Sequence, residues 1–373
     1  MKKVIPLLAL ALMVMACNNS KEKENTKQTE DQMDQTENPL LSESTLPYGA
    51  PDFSKIKDEH FKPAMLEGIE QQKKAVEAIA NSEEEPTFEN TVLALEKSGE
   101  LLNRTSQVFY ALAGANTNET LQTVEEEMAP KFAAQKDMIY LNDKLFKRFK
   151  TLHDKKESLN LDPESLKLLE EYYEDFEIAG ANLSSEDKEK LKQYNETIAT
   201  LTTKFGKTLL DANNAGAVTF TNKEDLAGVD EDFLKSKENK DGPGWKIPLQ
   251  NTTQQPLLQS MQNRASREKL FKAAWHRADH GANDTRDLIK QLVEVRAQKA
   301  KLLGFNNYAE WSLQKTMAKT PENVNAFFGK LIPAATAKAQ MEADEIQEMI
   351  NSKGEDFTLE PWDWNYYAEM VRK

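Results

Sequence analysis

Residues 256–304 read PLLQSMQNRASREKLFKAAWHRADHGANDTRDLIKQLVEVRAQKAKLLG, and their periodicity decides the fold class. Leu288, Leu292 and Val295 recur at steps of four and three, which puts them on one face of a helix. Gly304 then supplies a stop, because glycine accepts the left-handed turn that ends a helix. The preceding segment from Pro256 reads as a helix as well.

The same period runs outward in both directions. Towards the N-terminus, residues 60–82, 87–116, 161–180 and 183–216 each space their apolar residues for a helix. Thr87 is a plausible cap, Asp162 caps a helix that Pro163 opens, and Ser184 stands three before Asp187 as in a capping box. A charged helical stretch runs from about Glu119 to Leu159, and Pro130 is expected to kink or split it. Towards the C-terminus, residues 306–318 form a short helix, and Thr320 with Pro321 opens a long one towards Lys353. The pattern changes in AVTFTN (217–222) and GWKIPLQN (244–251), where β-branched and alternating apolar residues are bounded by turn formers. Two short strands able to pair with each other are expected between about Val218 and Gln250. The fold class is therefore mainly α with one short β pair. No fixed-period repeat is present, although an α-solenoid would share this composition.

The 373 residues allow two domains or one large one. Asp and Glu outnumber Lys and Arg by 62 to 48, a net charge of −14 that repels phosphate backbones and argues against nucleic-acid binding. The first residues, MKKVIPLLALALMVMAC, place Lys2 and Lys3 before an apolar run from Val4 to Ala16 that is too short to span a bilayer. This reads as a signal peptide. VMAC resembles a bacterial lipobox, so Cys17 is the expected lipidation site, against the alternative of an ordinary signal with an incidental cysteine. Cys17 is the only cysteine, which excludes an intramolecular disulfide. Polar NNSKEKENTKQTEDQMDQTEN (18–38) cannot bury enough surface to fold and reads as a tether. The expected organisation is a lipoprotein signal at 1–17, a disordered tether at 18–45 and a helical body from residue 46 onward. The localisation that follows is a bacterial cell envelope, with the protein held to a membrane through Cys17.

Chemistry-bearing patterns are few. Of the four histidines, His276 and His280 are four apart and would share a helical face, a spacing that can bind zinc. Arg277 stands where an H-E-x-x-H motif needs its Glu, so a surface or capping role competes with metal ligation. EEYYEDFE (170–177) is acidic, with Glu170, Glu171, Glu174, Asp175 and Glu177 on a solvated helix and Tyr172, Tyr173 and Phe176 as core contacts. Asn263, Arg264, Arg267, Arg277, Asp284 and Arg286 cluster near one helix–turn–helix, where bidentate Arg–carboxylate pairs would lock two helices. There is no phosphate loop, no nucleophile elbow and no cysteine nucleophile in the body.

Residues 244–324, from GWKIPLQN through NRASRE, GANDTRD and KLLGFNNYAEWSLQKTMAKTPENV, resemble the thimet oligopeptidase–neurolysin family of zinc metallopeptidases, and within it the bacterial peptidyl-dipeptidases. NPLL (38–41), residues 46–69, residues 86–104 and PWDWNYY (361–367) resemble the same family. The resemblance implies a multi-helical, two-lobed architecture around a channel that admits short peptides, with an N-terminal helical lobe at 46–250 and the beginning of a metallopeptidase catalytic domain at 251–373, cut short before the zinc motif. It implies one zinc held by two histidines of an H-E-x-x-H helix and a downstream glutamate, with the motif's Glu activating water. Its peptidyl-dipeptidases release dipeptides from a free C-terminus, and a monomer acting on short peptides is the expectation. The sequence departs from the family where it matters most: none of His60, His153, His276 and His280 is followed by glutamate. No catalytic residue and no metal ligand is carried onto this chain. The expectation is that it stops short of the zinc helix, that zinc belongs to the full-length family enzyme, and that these residues alone are inactive. A non-catalytic peptide-binding lipoprotein and a helical scaffold are the alternatives.

Overall fold

The computed structural model describes residues 38–373. The signal peptide, Cys17 and the tether up to residue 37 lie outside the described residues. The chain divides into two compact units: the first takes the described residues up to Ala75 together with Glu96–Val124, and the second takes Val76–Leu95 with Glu125–Lys373.

The first unit is built on α1 (Phe61–Ala80) as far as Ala75 and on α2 (Glu100–Ala115). Phe61 meets Phe109 edge to face at 5.4 Å, and both are buried. Gly68 makes the close approach possible, because a Cβ there would come within 2.8 Å of the Leu102 Cα. The leading segment is held down by side chains: Asn38 Nδ2 donates to the His60 carbonyl at 2.9 Å and Arg104 Nη2 to the Leu40 carbonyl at 3.3 Å.

The second unit holds α3 from Glu125 onward (α3 spans Glu119–Tyr140), α4 (Asp143–Asp154), α5 (Pro163–Ala179) and α6 (Ser185–Ala215). It continues with β1 (Val218–Phe220), α7 (Glu231–Ser236), β2 (Trp245–Ile247), α8 (Asn251–Ser260) and α9 (Arg264–Trp275). It ends with α10 (Arg286–Leu302), α11 (Tyr308–Ser312), α12 (Pro321–Ser352) and α13 (Trp364–Arg372).

The caps are those the sequence predicts. The Asp162 carboxylate accepts from the backbone N–H of Glu164 and Ser165, the Ser184 hydroxyl from Asp187, and the Thr320 hydroxyl from Asn323. The two strands pair antiparallel, with Val218 opposite Ile247 and Phe220 opposite Trp245. Leu288, Leu292 and Val295 are all buried on α10, which packs on α6, and Gly304 takes φ +87° at its end.

Two expectations are corrected. Pro130 does not split the charged stretch: α3 runs through it and stops at Tyr140. The break falls at Asn142, whose side chain accepts from the N–H groups of Lys144 and Leu145 and starts α4. A proline removes one N–H from a long helix, whereas an aspartate-like cap offers a new start. The run from Thr87 is also not one helix. Thr87 caps a π-helical turn at Phe88–Leu93, a short turn Ala94–Lys97 follows, and Gly99 precedes α2.

Among the described residues, buried clusters fill the second unit. One joins Val76, Val92, Leu145, Phe149, Leu169 and Phe176. A second gathers the strands with α8 and α9 through Phe220, Ile247, Leu257, Leu258 and Leu270. A third, smaller one closes α12 on α13 through Ile346, Ile350 and Tyr367. The middle of α12 keeps Phe327, Phe328, Leu331 and Ile332 exposed. Among the described residues no helix is long and apolar enough to cross a membrane.

Candidate functional site

The arginine cluster becomes a buried lock between α9 and the start of α13. Asn263 begins α9, its side-chain oxygen accepting from the Ser266 N–H at 3.2 Å. Arg264 and Arg267 follow one turn apart and so reach the same way. Both meet Asp363. Arg264 makes a two-pronged contact, with Nε and Nη2 at 3.1 and 2.8 Å from Oδ2, and Arg267 Nη2 lies 2.9 Å from Oδ1. Arg267 is 1% exposed and Asp363 0%. Burying such charges is tolerable only when each is paired and hydrogen-bonded. Arg267 accordingly also donates to the carbonyls of Met261 and Gln262, at 3.0 and 3.1 Å. Aromatic rings complete the enclosure: the Arg264 guanidinium lies 4.0 Å from the Phe357 ring centre and that of Arg267 4.3 Å from Tyr366. Tyr367 donates to Glu355 at 2.6 Å, and burial together with that carboxylate pushes its hydroxyl well above the usual tyrosine range.

The sequence therefore named the right arginines but not their carboxylate. Asp284 pairs with Arg286, two residues away at the surface, and hydrogen bonds from Arg286 hold its carboxyl down at about 2. Arg277 joins neither pair; its Nη1 donates to the Ala274 carbonyl at 2.5 Å.

The histidine pair does not share a helical face. Helix α9 ends at Trp275, and His276 is its C-cap. The chain then turns, with Thr285 binding the Ala278 carbonyl through both its N–H (2.9 Å) and its hydroxyl (3.0 Å). His276 and His280 each approach Asp279 through Nδ1 at 2.7 Å, and the two together hold that carboxyl low. His60 accepts from the Lys57 N–H at 3.1 Å, and His153 stacks on Tyr173 at 3.9 Å. Among the described residues no group of three or more histidine, cysteine or acidic side chains stands together to hold a metal ion. These residues do not fit a zinc site.

Three acidic residues of the run on α5 are taken up in ion pairs. Glu170 meets Lys156 at 2.6 Å, Glu171 meets Lys167 at 2.7 Å and also Lys315, and Asp175 meets Lys315 at 2.7 Å. Tyr172, Tyr173 and Phe176 pack into the first cluster.

A cleft of 710 Å³ opens beside the lock, lined by α8, the end of α9 and Asn365 of α13. Carboxamides dominate its polar lining, Gln254 and Gln255 among them, and Arg277 is its one charged group. Gln254 is only 7% exposed. Trp275 is 73% exposed and stacks on Phe271 at 5.4 Å with the rings 12° from parallel, leaving its other face open. Sequence reasoning passed over Gln254, since NTTQQP reads simply as a polar helix start.

Residues 257–373 match the profile described as Peptidase family M3. Dipeptidyl carboxypeptidase of Escherichia coli (strain K12) is 45% identical over 348 residues, covering 91% of this chain and 50% of that protein. Dipeptidyl carboxypeptidase of Salmonella typhimurium is 44% identical over 342 residues, covering 90% and 50%. Oligopeptidase A of Haemophilus influenzae is 28% identical over 345 residues, again covering 90% and 50%. The chain thus spans about half the length of the curated relatives it matches. Residues 257–373 thus carry the profile of peptidase family M3, a family of zinc metallopeptidases, and the chain is similar along about 90% of its length to two dipeptidyl carboxypeptidases.

Proposed function

We propose that the protein carrying these residues is a zinc peptidyl-dipeptidase, releasing dipeptides from the C-terminus of short peptides. The observation that carries this reading is the gap in identity: 45% and 44% to two dipeptidyl carboxypeptidases against 28% to an oligopeptidase A, over nearly the same residues. The zinc and its water chemistry are assigned to sequence other than the described residues, which hold no cluster able to take the ion. The exposed row Phe327, Phe328, Leu331 and Ile332 on α12 supports this, because a row of that kind asks for a further packed element. The test is dipeptide release from N-blocked tetrapeptides by the native protein from its source membrane, with and without a chelator, beside the 373-residue chain alone. Chelator-sensitive release by the native protein and none by the chain alone is expected. No release by the native protein, at any zinc concentration, would overturn the assignment.

A second reading is a peptide-binding lipoprotein without catalysis, favoured by a cleft that exists without a metal cluster. An immunoblot of the native protein separates the two: a band far above 42.3 kDa supports the peptidase and a band near that mass the binding protein. Under either reading we assign lipid anchorage to Cys17 and a place in the bacterial envelope, on the basis of Lys2, Lys3 and the apolar run to Ala16. Metabolic labelling with a tagged fatty acid should mark the wild type and not Cys17→Ser.

A further inference from the structure

Twenty residues, 18–37, separate Cys17 from the first described residue, and even fully extended they reach at most ~70 Å. The chain enters the first unit beside an apolar turn: Pro39 and Leu40 line the same 170 Å³ cavity as Leu46, Gly49 and Pro51. The turn is held from within, the Ser44 hydroxyl donating to the Ala50 carbonyl at 2.5 Å and the Gly49 N–H to the Leu46 carbonyl at 3.0 Å. Tyr48 stands at its tip with φ +62°, a left-handed backbone that a bulky side chain adopts only at a cost. Contacts within the protein do not offset that cost, because Tyr48 is 106% exposed. Leu46 and Phe53, on either side of it, are 42% and 57% exposed. Charge offers no hold to an anionic partner: Glu43, Asp52, Asp58 and Glu59 stand near the turn against Lys55 and Lys57, and Lys55 is paired with Asp52 at 2.9 Å. Three side chains are too few for a stable protein interface, which buries about 800 Å² on each partner. They suffice for a surface that the anchor already keeps at high effective concentration. Aromatic rings with a polar tip favour the boundary between lipid headgroups and acyl chains.

We propose that the turn Leu46–Phe53 seats Leu46, Tyr48 and Phe53 in the interfacial layer of the bilayer that carries the Cys17 anchor, so that the first unit docks on the membrane by apolar insertion. The choice of a lipid surface rests on the lipoprotein reading; the exposed, strained tip beside the point of chain entry comes from the structure itself.

The test places an environment-sensitive fluorophore on Ala50→Cys in the full chain, purified from membranes and reconstituted in phosphatidylcholine vesicles. Cys17 is the only native cysteine, and lipidation blocks its sulfur, so the label goes to position 50 alone. A nitroxide carried high on the lipid acyl chains should quench the label. Tyr48→Ser with Phe53→Ser should cut the ratio of inserted to free turn at least about tenfold, the worth of burying one such ring, and Tyr48→Trp should keep it high. Thermal melting confirms that each variant is folded. Vesicle flotation reads the anchor separately. Protein that floats with an unquenched label, as when another part of the polypeptide covers the turn, overturns the proposal and leaves the anchorage standing. Quenching that survives in the folded double variant, or that appears only when phosphatidylglycerol replaces phosphatidylcholine, overturns it too. Protein that neither floats nor incorporates a tagged fatty acid overturns the anchorage and, with it, the docking.

Discussion

Arg267 on α9 and Asp363 at the foot of α13 lie 96 residues apart in sequence, 2.9 Å apart in space, and both are closed off from water. Removing the carboxylate would strand a buried guanidinium. Asp363→Ala should therefore cost about 3–5 kcal/mol, the usual penalty for breaking one side of a buried pair. Arg264 is about a third exposed, so water replaces part of what it loses. Arg264→Ala should cost about 1 kcal/mol. Denaturant unfolding of both variants checks the order; equal and small losses would mean that water reaches Asp363.

What was legible in the sequence was what local chemistry decides. Asp162 before Pro163, Ser184 before Asp187 and Thr320 before Pro321 satisfy orphan N–H groups within three residues, so no tertiary context can hide them. The strand pair was readable for the same reason, since β1 and β2 are bounded by turn formers. The arginines were readable as a lock, but Asp363 was not readable as their partner across so long a separation. His276 and His280 were read on a shared helical face because spacing alone does not show that Thr285 folds back onto Ala278 and ends the helix at Trp275. The cleft was invisible because its lining comes from three elements.

Arg148 gives the second prediction. It is buried on α4, and its guanidinium serves neutral acceptors. Nη1 donates to the carbonyls of Ser82 (3.2 Å) and Glu84 (2.9 Å), Nη2 to the Asn90 side-chain oxygen (2.9 Å) and Nε to the Thr91 hydroxyl (3.2 Å). One side chain thus fixes the loop that leads into the π-helical turn. Arg148→Met keeps the apolar stem and removes all four bonds. It should cost about 2–4 kcal/mol and open residues 82–90 to proteases. An unchanged cleavage pattern under limited proteolysis would show that the loop is held by something else.

Gly244 and Gly206 should respond to alanine in opposite directions. Gly244 has φ +87°, and a Cβ there would lie 2.1 Å from the Phe220 carbonyl oxygen, inside the strand pair. Gly244→Ala should cost about 1–3 kcal/mol or more. Gly206 is inside α6 with nothing within 4 Å of a built Cβ. Gly206→Ala should add about 0.5–1 kcal/mol by restricting the unfolded chain. Melting curves of the two variants against wild type decide the matter.

Asp137 supplies the pH dependence. Burial pushes its carboxyl up from an ordinary 3.8 to about 6, against the Asn195 amide that donates to it at 2.7 Å. Lys299 lies 4.3 Å from the Trp311 ring centre, and burial lowers its ammonium to about 8. The signs follow from which state holds the proton more tightly. Folded Asp137 binds it better than the unfolded chain does, so its contribution is complete below about 3.8 and is lost as pH rises through about 6. Lys299 binds it less well when folded, so its contribution is present above 10.5 and is lost as pH falls through about 8. Surface carboxyls held low, such as Asp284, act in the opposite direction and cancel in a comparison of two variants. The melting temperature of wild type minus that of Asp137→Asn should therefore decline from pH 4 to pH 7. In a Lys299→Met background the same decline should move to higher pH, because the Lys299 ammonium helps to hold the Asp137 carboxyl down. A flat difference between wild type and Asp137→Asn over this range would mean that Asp137 is ionised throughout and that water reaches it at the junction of α3 and α6.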